Sequence, residues 1–92
     1  MRRPFTWLVY AAALMNETLY DGPAHQAVFE VPMPGIVRFA LSDRNAAGYV
    51  RCRDGSLLRI RFRETLFLPA GKYFLTLYDP TLMAHVWIVH MR

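Results

Sequence analysis

In the segment from residue 49 to residue 63, two runs in which apolar residues alternate with arginine flank a turn. After the Asp-Gly pair at positions 54 and 55, leucine, isoleucine and phenylalanine alternate with arginine. Because successive side chains of a β-strand point to opposite faces, this pattern predicts a strand with one apolar and one basic face. The arm before the pair alternates in the same way. The segment is therefore predicted to be a β-hairpin with a core side and an arginine-rich side.

The alternation also decides the length of the hairpin loop. A two-residue Asp-Gly loop is the usual expectation for this pair. It would place Val50 opposite Arg59, so that each face would mix arginine with core residues. A three-residue loop over residues 53–55, with Gly55 left-handed in a G1 bulge, instead places Val50 opposite Leu58. Since a slip of one residue would expose the apolar set, the three-residue loop is predicted.

The rest of the chain consists of short apolar runs separated by Gly, Pro, Asp and Asn. Such runs, at this spacing, are typical of antiparallel sandwiches and barrels. We therefore predict an all-β fold, a small antiparallel β-sandwich or jelly-roll-like barrel of about seven to eight strands. The predicted strands are residues 5–14, 26–31, 35–41, 47–52, 57–63, 65–68, 72–78 and 84–91.

The length of the chain fits a single β domain over residues 1–92, in which residues 1–24 form an N-terminal arm or the first strand. The two arginines at positions 2 and 3 and the apolar run 5–15 resemble a signal peptide. No small-x-small cleavage site follows promptly, and the run is too short to span a bilayer. We therefore expect a cytoplasmic or virion-associated protein that is not secreted and has no membrane partner. A single cysteine excludes an internal disulfide.

A second hairpin is predicted at residues 67–78. Pro69 presets the first loop angle, and Gly71 supplies the left-handed residue. The run Leu-Pro-Ala-Gly-Lys-Tyr-Phe-Leu that begins at Leu68 resembles the L-P-A-G-x-Y-x-L runs of immunoglobulin-like and other small β-sandwich domains. The resemblance covers this hairpin alone, and no functional residue follows from it.

Two predicted strands, 72–78 and 84–91, are largely apolar on both faces. An antiparallel sheet in a two-layer domain normally has one wet face. The chain is also 54% hydrophobic and 14% aromatic over 92 residues, which is more apolar material than a small domain easily buries. We interpret the second faces as surfaces covered by other protein subunits, in a homo-oligomer or another assembly. The alternative is a closed barrel, or loops and an N-terminal segment that cover them.

The basic residues are skewed toward arginine. The formal net charge is +4, from ten arginines and one lysine against seven acidic residues. Arginine makes planar, bidentate contacts and suits interfaces better than lysine. Arg38 is expected to point the same way as the hairpin arginines, on a strand that lies next to the hairpin through the 42–46 turn. The candidate partner-binding residues are Arg38, Tyr49, Arg51, Arg59, Arg61, Arg63, Phe74, Tyr78 and Trp87.

This arginine face has three interpretations: a solvated surface, a dock for an acidic protein, or a surface that contacts nucleic-acid phosphates. Tyr49 is the only aromatic residue clearly among the arginines. One ring offers little surface on which the bases of a nucleic acid could stack.

The sequence contains no recognisable catalytic set. It lacks a Gly-rich phosphate loop, G-x-S-x-G and C-x-x-C. His85 and His90 are five residues apart on a predicted strand, so they face opposite sides and cannot chelate one metal through that strand alone. A site made of His25, His90 and Asp79 has no local support. We predict a protein that is not an enzyme and has no cofactor or metal.

The leading hypothesis is a structural or interaction subunit of a larger assembly. A phage virion component, such as a capsid decoration or tail-assembly protein, is its most concrete form. The alternatives are a nucleic-acid-binding module that uses the arginine face and a small inhibitor that blocks a partner protein. A carbohydrate-binding module would need Trp7 or Trp87 as an exposed sugar platform.

Overall fold

The described strands form two four-stranded antiparallel sheets. The computed structural model describes residues 14–91, and the side chains of residues 16–90. Sheet I has the strand order β1-β8-β3-β6 and sheet II the order β2-β7-β4-β5. Each sheet keeps two free edges, so these strands do not close into a barrel. The strands are β1 (Leu14–Pro23), β2 (Ala27–Val31), β3 (Gly35–Leu41), β4 (Ala47–Arg51), β5 (Leu57–Arg61), β6 (Arg63–Leu68), β7 (Gly71–Leu77) and β8 (Met83–Met91).

The all-β prediction is confirmed, and β2 to β8 match predicted strands with shifts at their ends. The prediction missed β1, whose Asp-Gly-Pro end was interpreted as a turn. β1 tolerates this end because, among the described strands, it is an edge strand, paired with β8 with a register shift between Thr18 and Tyr20. The predicted strand 5–14 lies, except for Leu14, outside the described residues. Among the described residues, no helix is long and apolar enough to cross a membrane.

The three-residue loop between β4 and β5 is confirmed. The Gly55 amide donates to the Cys52 carbonyl at 3.0 Å, and the Cys52 amide donates to the Ser56 carbonyl at 2.8 Å. Gly55 has a φ of 91°, in the left-handed region that the bulge requires. Val50 lies opposite Leu58, as the alternation predicts.

Residues of both sheets form one hydrophobic core, which is apolar throughout. Val50 and Leu75 of sheet II and Val37 and Ile88 of sheet I are completely buried. Among the described residues, no polar or charged side chain is buried. The predicted alternation of β7 and β8 is confirmed, because their inward residues fill this core while their outward residues lie on the outer faces.

The strand pairing is nested. β1 pairs with β8, β2 with β7, β3 with β6 and β4 with β5, as in one long hairpin folded over on itself. The contacts of β3 with β8 and of β4 with β7 then complete the two sheets. Most connections therefore cross from one sheet to the other. The hairpin predicted at residues 67–78 is wrong for this reason, because its first strand, β6, lies in sheet I and its second strand, β7, in sheet II.

The nested pairing contradicts the prediction of one arginine face that includes Arg38 and Arg63. The 42–46 turn leads from sheet I to sheet II, so the strand of Arg38 does not neighbour the hairpin. The predicted strand 57–63 is also broken at Phe62, where the chain bends. At this bend the Arg61 amide donates to the Glu64 carboxylate at 3.2 Å. Arg63 therefore begins β6, which pairs with β3 in sheet I.

Candidate functional site

The nine candidate residues lie on two opposite outer faces. Strand alternation points each of them away from the core, and the two sheets divide them. The outer face of sheet II carries six of them: Tyr49, Arg51, Arg59, Arg61, Phe74 and Tyr78. The outer face of sheet I carries the other three: Arg38, Arg63 and Trp87. We call the six-residue surface the cationic face.

The cationic face begins with a stacked pair. Arg51 on β4 lies directly opposite Phe74 on β7, and its guanidinium carbon is 4.6 Å from the centroid of the Phe74 ring. This geometry is a cation–π contact, which places the guanidinium over the ring. Phe74 is half-buried, and the exposed Leu57 lies on the other side of Arg51.

Two tyrosines continue the same surface. Tyr49 on β4 lies opposite Arg59 on β5, as predicted, and its ring is 6.3 Å from the ring of Tyr78 in an edge-on arrangement. The Tyr78 amide donates to the Ala47 carbonyl at 3.1 Å, which fixes Tyr78 beside the end of β4. Tyr78 is 66% exposed.

The charge on the cationic face is not neutralised locally. Arg51, Arg59 and Arg61 are exposed. Among the described residues, the carboxylate contacts found at salt-bridge distance are those of His85 and His90 on sheet I, and neither involves these arginines. Glu30 lies opposite Lys72, one row beyond Phe74, and the Glu64 carboxylate accepts a hydrogen bond from the Arg61 amide and not from a guanidinium group. The three guanidinium groups are therefore available to an anionic partner.

The outer face of sheet I is more apolar than the cationic face. Val89, Ile36 and Phe67 lie side by side across β8, β3 and β6, and we call this set the apolar row. Ile36 is 46% exposed and Phe67 is 69% exposed. Next to the row, a shallow depression of about 320 Å³ is lined in part by Arg38, Arg63 and Trp87, so the three candidates of this face lie together.

The histidines do not form a metal site. His85 and His90 point to opposite faces, as predicted, and each contacts a carboxylate of β1. The His85 Nδ1 lies 3.5 Å from Asp21, and the His90 Nε2 lies 2.9 Å from Glu17. Among residues 14–91, no three metal-ligating side chains come together, and the hypothetical site with His25 is not assembled.

The apolar row and the exposed Leu57 were not predicted from the sequence. Ile36 could have been found, because it precedes the alternating Val37 and Phe39 and must face away from the core with Arg38. Phe67 could not have been found in this way, because the predicted strands 57–63 and 65–68 place the break in the chain at residue 64, whereas the chain bends at Phe62. Trp7, a candidate sugar platform, lies outside the described residues, and Trp87 is half-buried.

Comparison with known proteins gives no relative. No protein-family model, no curated protein and no solved structure matches the chain.

Proposed function

We propose that the protein is a non-enzymatic subunit of a larger protein assembly, which it joins through the outer face of sheet I. The observation that carries this proposal is the apolar row, in which Ile36 and Phe67 are exposed and Val89 is half-buried. Such surface in a small soluble domain marks an interface. Phe67 alone is 69% exposed, and covering it would contribute about 2 kcal/mol.

The proposed partner is a second copy of the chain. Asp21 of β1 and Arg63 of β6 lie at the two ends of one row across sheet I, with His85 and Ala40 between them. If two copies stack face to face about a two-fold axis parallel to the strands, Asp21 of each copy lies over Arg63 of the other. The same operation places Ile36 on Val89. A face with opposite charges at its ends and apolar residues at its middle is self-complementary, as a two-fold interface requires.

We further propose that the fold is a jelly-roll β-sandwich. The nested pairing of β1 with β8, β2 with β7, β3 with β6 and β4 with β5 supports this arrangement. Viral capsid domains are among the proteins built on jelly rolls, which favours a virion component such as a capsid decoration or tail-assembly protein. Because one fold hosts many functions, the assembly role depends on the apolar row and not on the fold.

Light scattering coupled to size exclusion, over a wide range of protein concentration, tests the proposal. The unmodified protein is expected to elute as a dimer or larger species. Phe67→Glu should convert it to a monomer, since two copies of the interface cannot bury a carboxylate without a partner. Val28→Glu, on the outer face of sheet II, is the matched control and should keep the assembly. A monomer at every concentration, or equal behaviour of the two variants, would refute the proposal.

A further inference from the structure

We propose that the cationic face binds single-stranded nucleic acid, with its rings stacking on bases and its arginines contacting phosphates. This site lies on the opposite side of the core from the apolar row, so it goes beyond the assembly role. The sequence offered Tyr49 as the only ring among the arginines. The structure adds Phe74 and Tyr78, because β7 lies beside β4 in sheet II.

The arrangement repeats one ring and one guanidinium in three successive rows of the sheet. Phe74 shares a row with Arg51, Tyr49 shares the next with Arg59, and Tyr78 shares the third with Arg61 through Ala47. In every row the arginine lies on the β5 side of the ring.

The spacing of the rows fits an extended strand of nucleotides. Rows on one face of a strand repeat about every 6.8 Å, twice the rise of one residue. Stacked nucleotides repeat about every 3.4 Å, so a strand that places one base on each row must be extended and unstacked. Aromatic side chains on a sheet bind such splayed bases in single-stranded recognition. The arginine line on the β5 side then follows the phosphates.

The chemistry favours a single strand over other anionic partners. A duplex keeps its bases stacked inside and could use only the arginines. An acidic protein surface would also use the arginines and would leave the rings of Tyr49 and Tyr78 without a role, whereas Phe74 already supports the Arg51 guanidinium. The three rows contain no carboxylate by strand register. Two carboxylates border them, Glu30 one row beyond Phe74 and Glu64 at the Arg61 amide, against the three guanidinium groups of the rows.

Fluorescence anisotropy with labelled oligo(dT), oligo(U) and a DNA duplex tests the site. The protein is expected to bind both single strands more tightly than the duplex. The logarithm of the association constant should fall with the logarithm of the salt concentration with a slope of about −2, from about −0.7 for each of three phosphate contacts. Equal binding of oligo(dT) and oligo(U) would indicate that the 2′-hydroxyl is not read.

Matched double variants separate a built site from a general effect of charge. Arg59→Gln with Arg61→Gln should weaken binding and reduce the slope by about 1.4. Arg44→Gln with Lys72→Gln removes the same charge from exposed positions outside the three rows and outside sheet I, and should leave the affinity unchanged within about twofold. If both double variants weaken binding equally, the proposed site is wrong.

Tyr78→Ala tests the stacking separately, since this ring is 66% exposed and its removal should not affect folding. Loss of one stacked base should raise the dissociation constant by about 5- to 150-fold. If Tyr78→Ala binds the single strands with unchanged affinity, and the protein binds poly-glutamate equally well, the partner of the cationic face is an acidic protein surface and not nucleic acid. Absence of binding at low salt would overturn the proposal outright.

Light scattering on the same variants should show an unchanged oligomeric state. A failure of the nucleic-acid proposal is therefore distinguishable from a failure of the assembly proposal.

Discussion

Replacement of Gly48 by alanine should destabilise the protein more than any other exchange of glycine for alanine within a described strand. Gly48 lies in β4 opposite Leu77 of β7. A Cβ atom at Gly48 would lie 2.2 Å from the Thr76 carbonyl oxygen and 2.8 Å from the Leu77 Cα. Both atoms belong to the backbone, so no side-chain rotation can relieve the contact. An ordinary carbon–oxygen contact is about 3.3 Å, so β7 would have to move away by about 1 Å.

The loss of folding stability in Gly48→Ala can be estimated from this displacement of β7. Hydrogen bonds between strands have donor–acceptor distances of about 2.9 Å, so an opening of about 1 Å breaks those nearest to Gly48. Overpacking costs about 1–3 kcal/mol and each lost hydrogen bond adds about 1 kcal/mol, which together give about 3 kcal/mol. For a domain of this size, the midpoint of thermal unfolding should fall by about 12–24 °C.

Urea unfolding followed by circular dichroism measures the effect, with Gly35→Ala as the matched control. Gly35 also lies in a described strand, but its Cβ would meet the Ile88 Cδ1 at 3.0 Å, a side-chain atom that can move. Gly35→Ala should stay within about 1 kcal/mol of the unmodified protein, because alanine also reduces the backbone entropy lost on folding. If Gly48→Ala unfolds at the same urea concentration as Gly35→Ala, the close approach of β4 and β7 is wrong.

Two further predictions concern pH. Burial raises the pKa of Tyr73, whose hydroxyl donates to the Pro69 carbonyl at 2.6 Å. The stabilisation by the protonated Tyr73 hydroxyl is fully present below the pKa that Tyr73 has in the unfolded chain. It is lost as the pH rises through the higher pKa of Tyr73 in the folded protein. Tyr73→Phe should therefore flatten the alkaline loss of stability in urea titrations. Hydrogen bonds from the Thr81 side chain and backbone lower the pKa of Asp79. Thr81→Val should raise this pKa in an NMR titration, and an unchanged value would contradict the assignment.

The strands and the tight hairpin could be predicted because their signals are local. Alternation over a few residues sets the faces of β5, and one glycine with a positive φ sets the register of the loop after β4. In β7 the same rule separates the buried Leu75 from the half-buried Phe74. Such predictions require only that neighbours in the chain lie on known sides of one strand.

The division of the candidate residues could not be predicted because it depends on which strands become neighbours. Arg61 and Arg63 have the same parity in the sequence and would share a face on one continuous strand. They lie on opposite sides of the core because the chain bends at Phe62, where the carbonyl accepts a hydrogen bond from the Leu41 amide at 2.9 Å. This bond joins residues distant in the sequence, so no local pattern reveals it.

The same bend makes the two proposed roles compatible. Were β5 and β6 one strand, Arg63 would extend the cationic face, and sheet I would lack the positive end of its Asp21-to-Arg63 row. With the bend, one arginine-rich segment supplies charge to both surfaces, and the core separates them. A copy docked through the apolar row therefore keeps its cationic face open to solvent. Assembly would then array these faces, and a single strand that reached several of them would bind with avidity beyond that of one face.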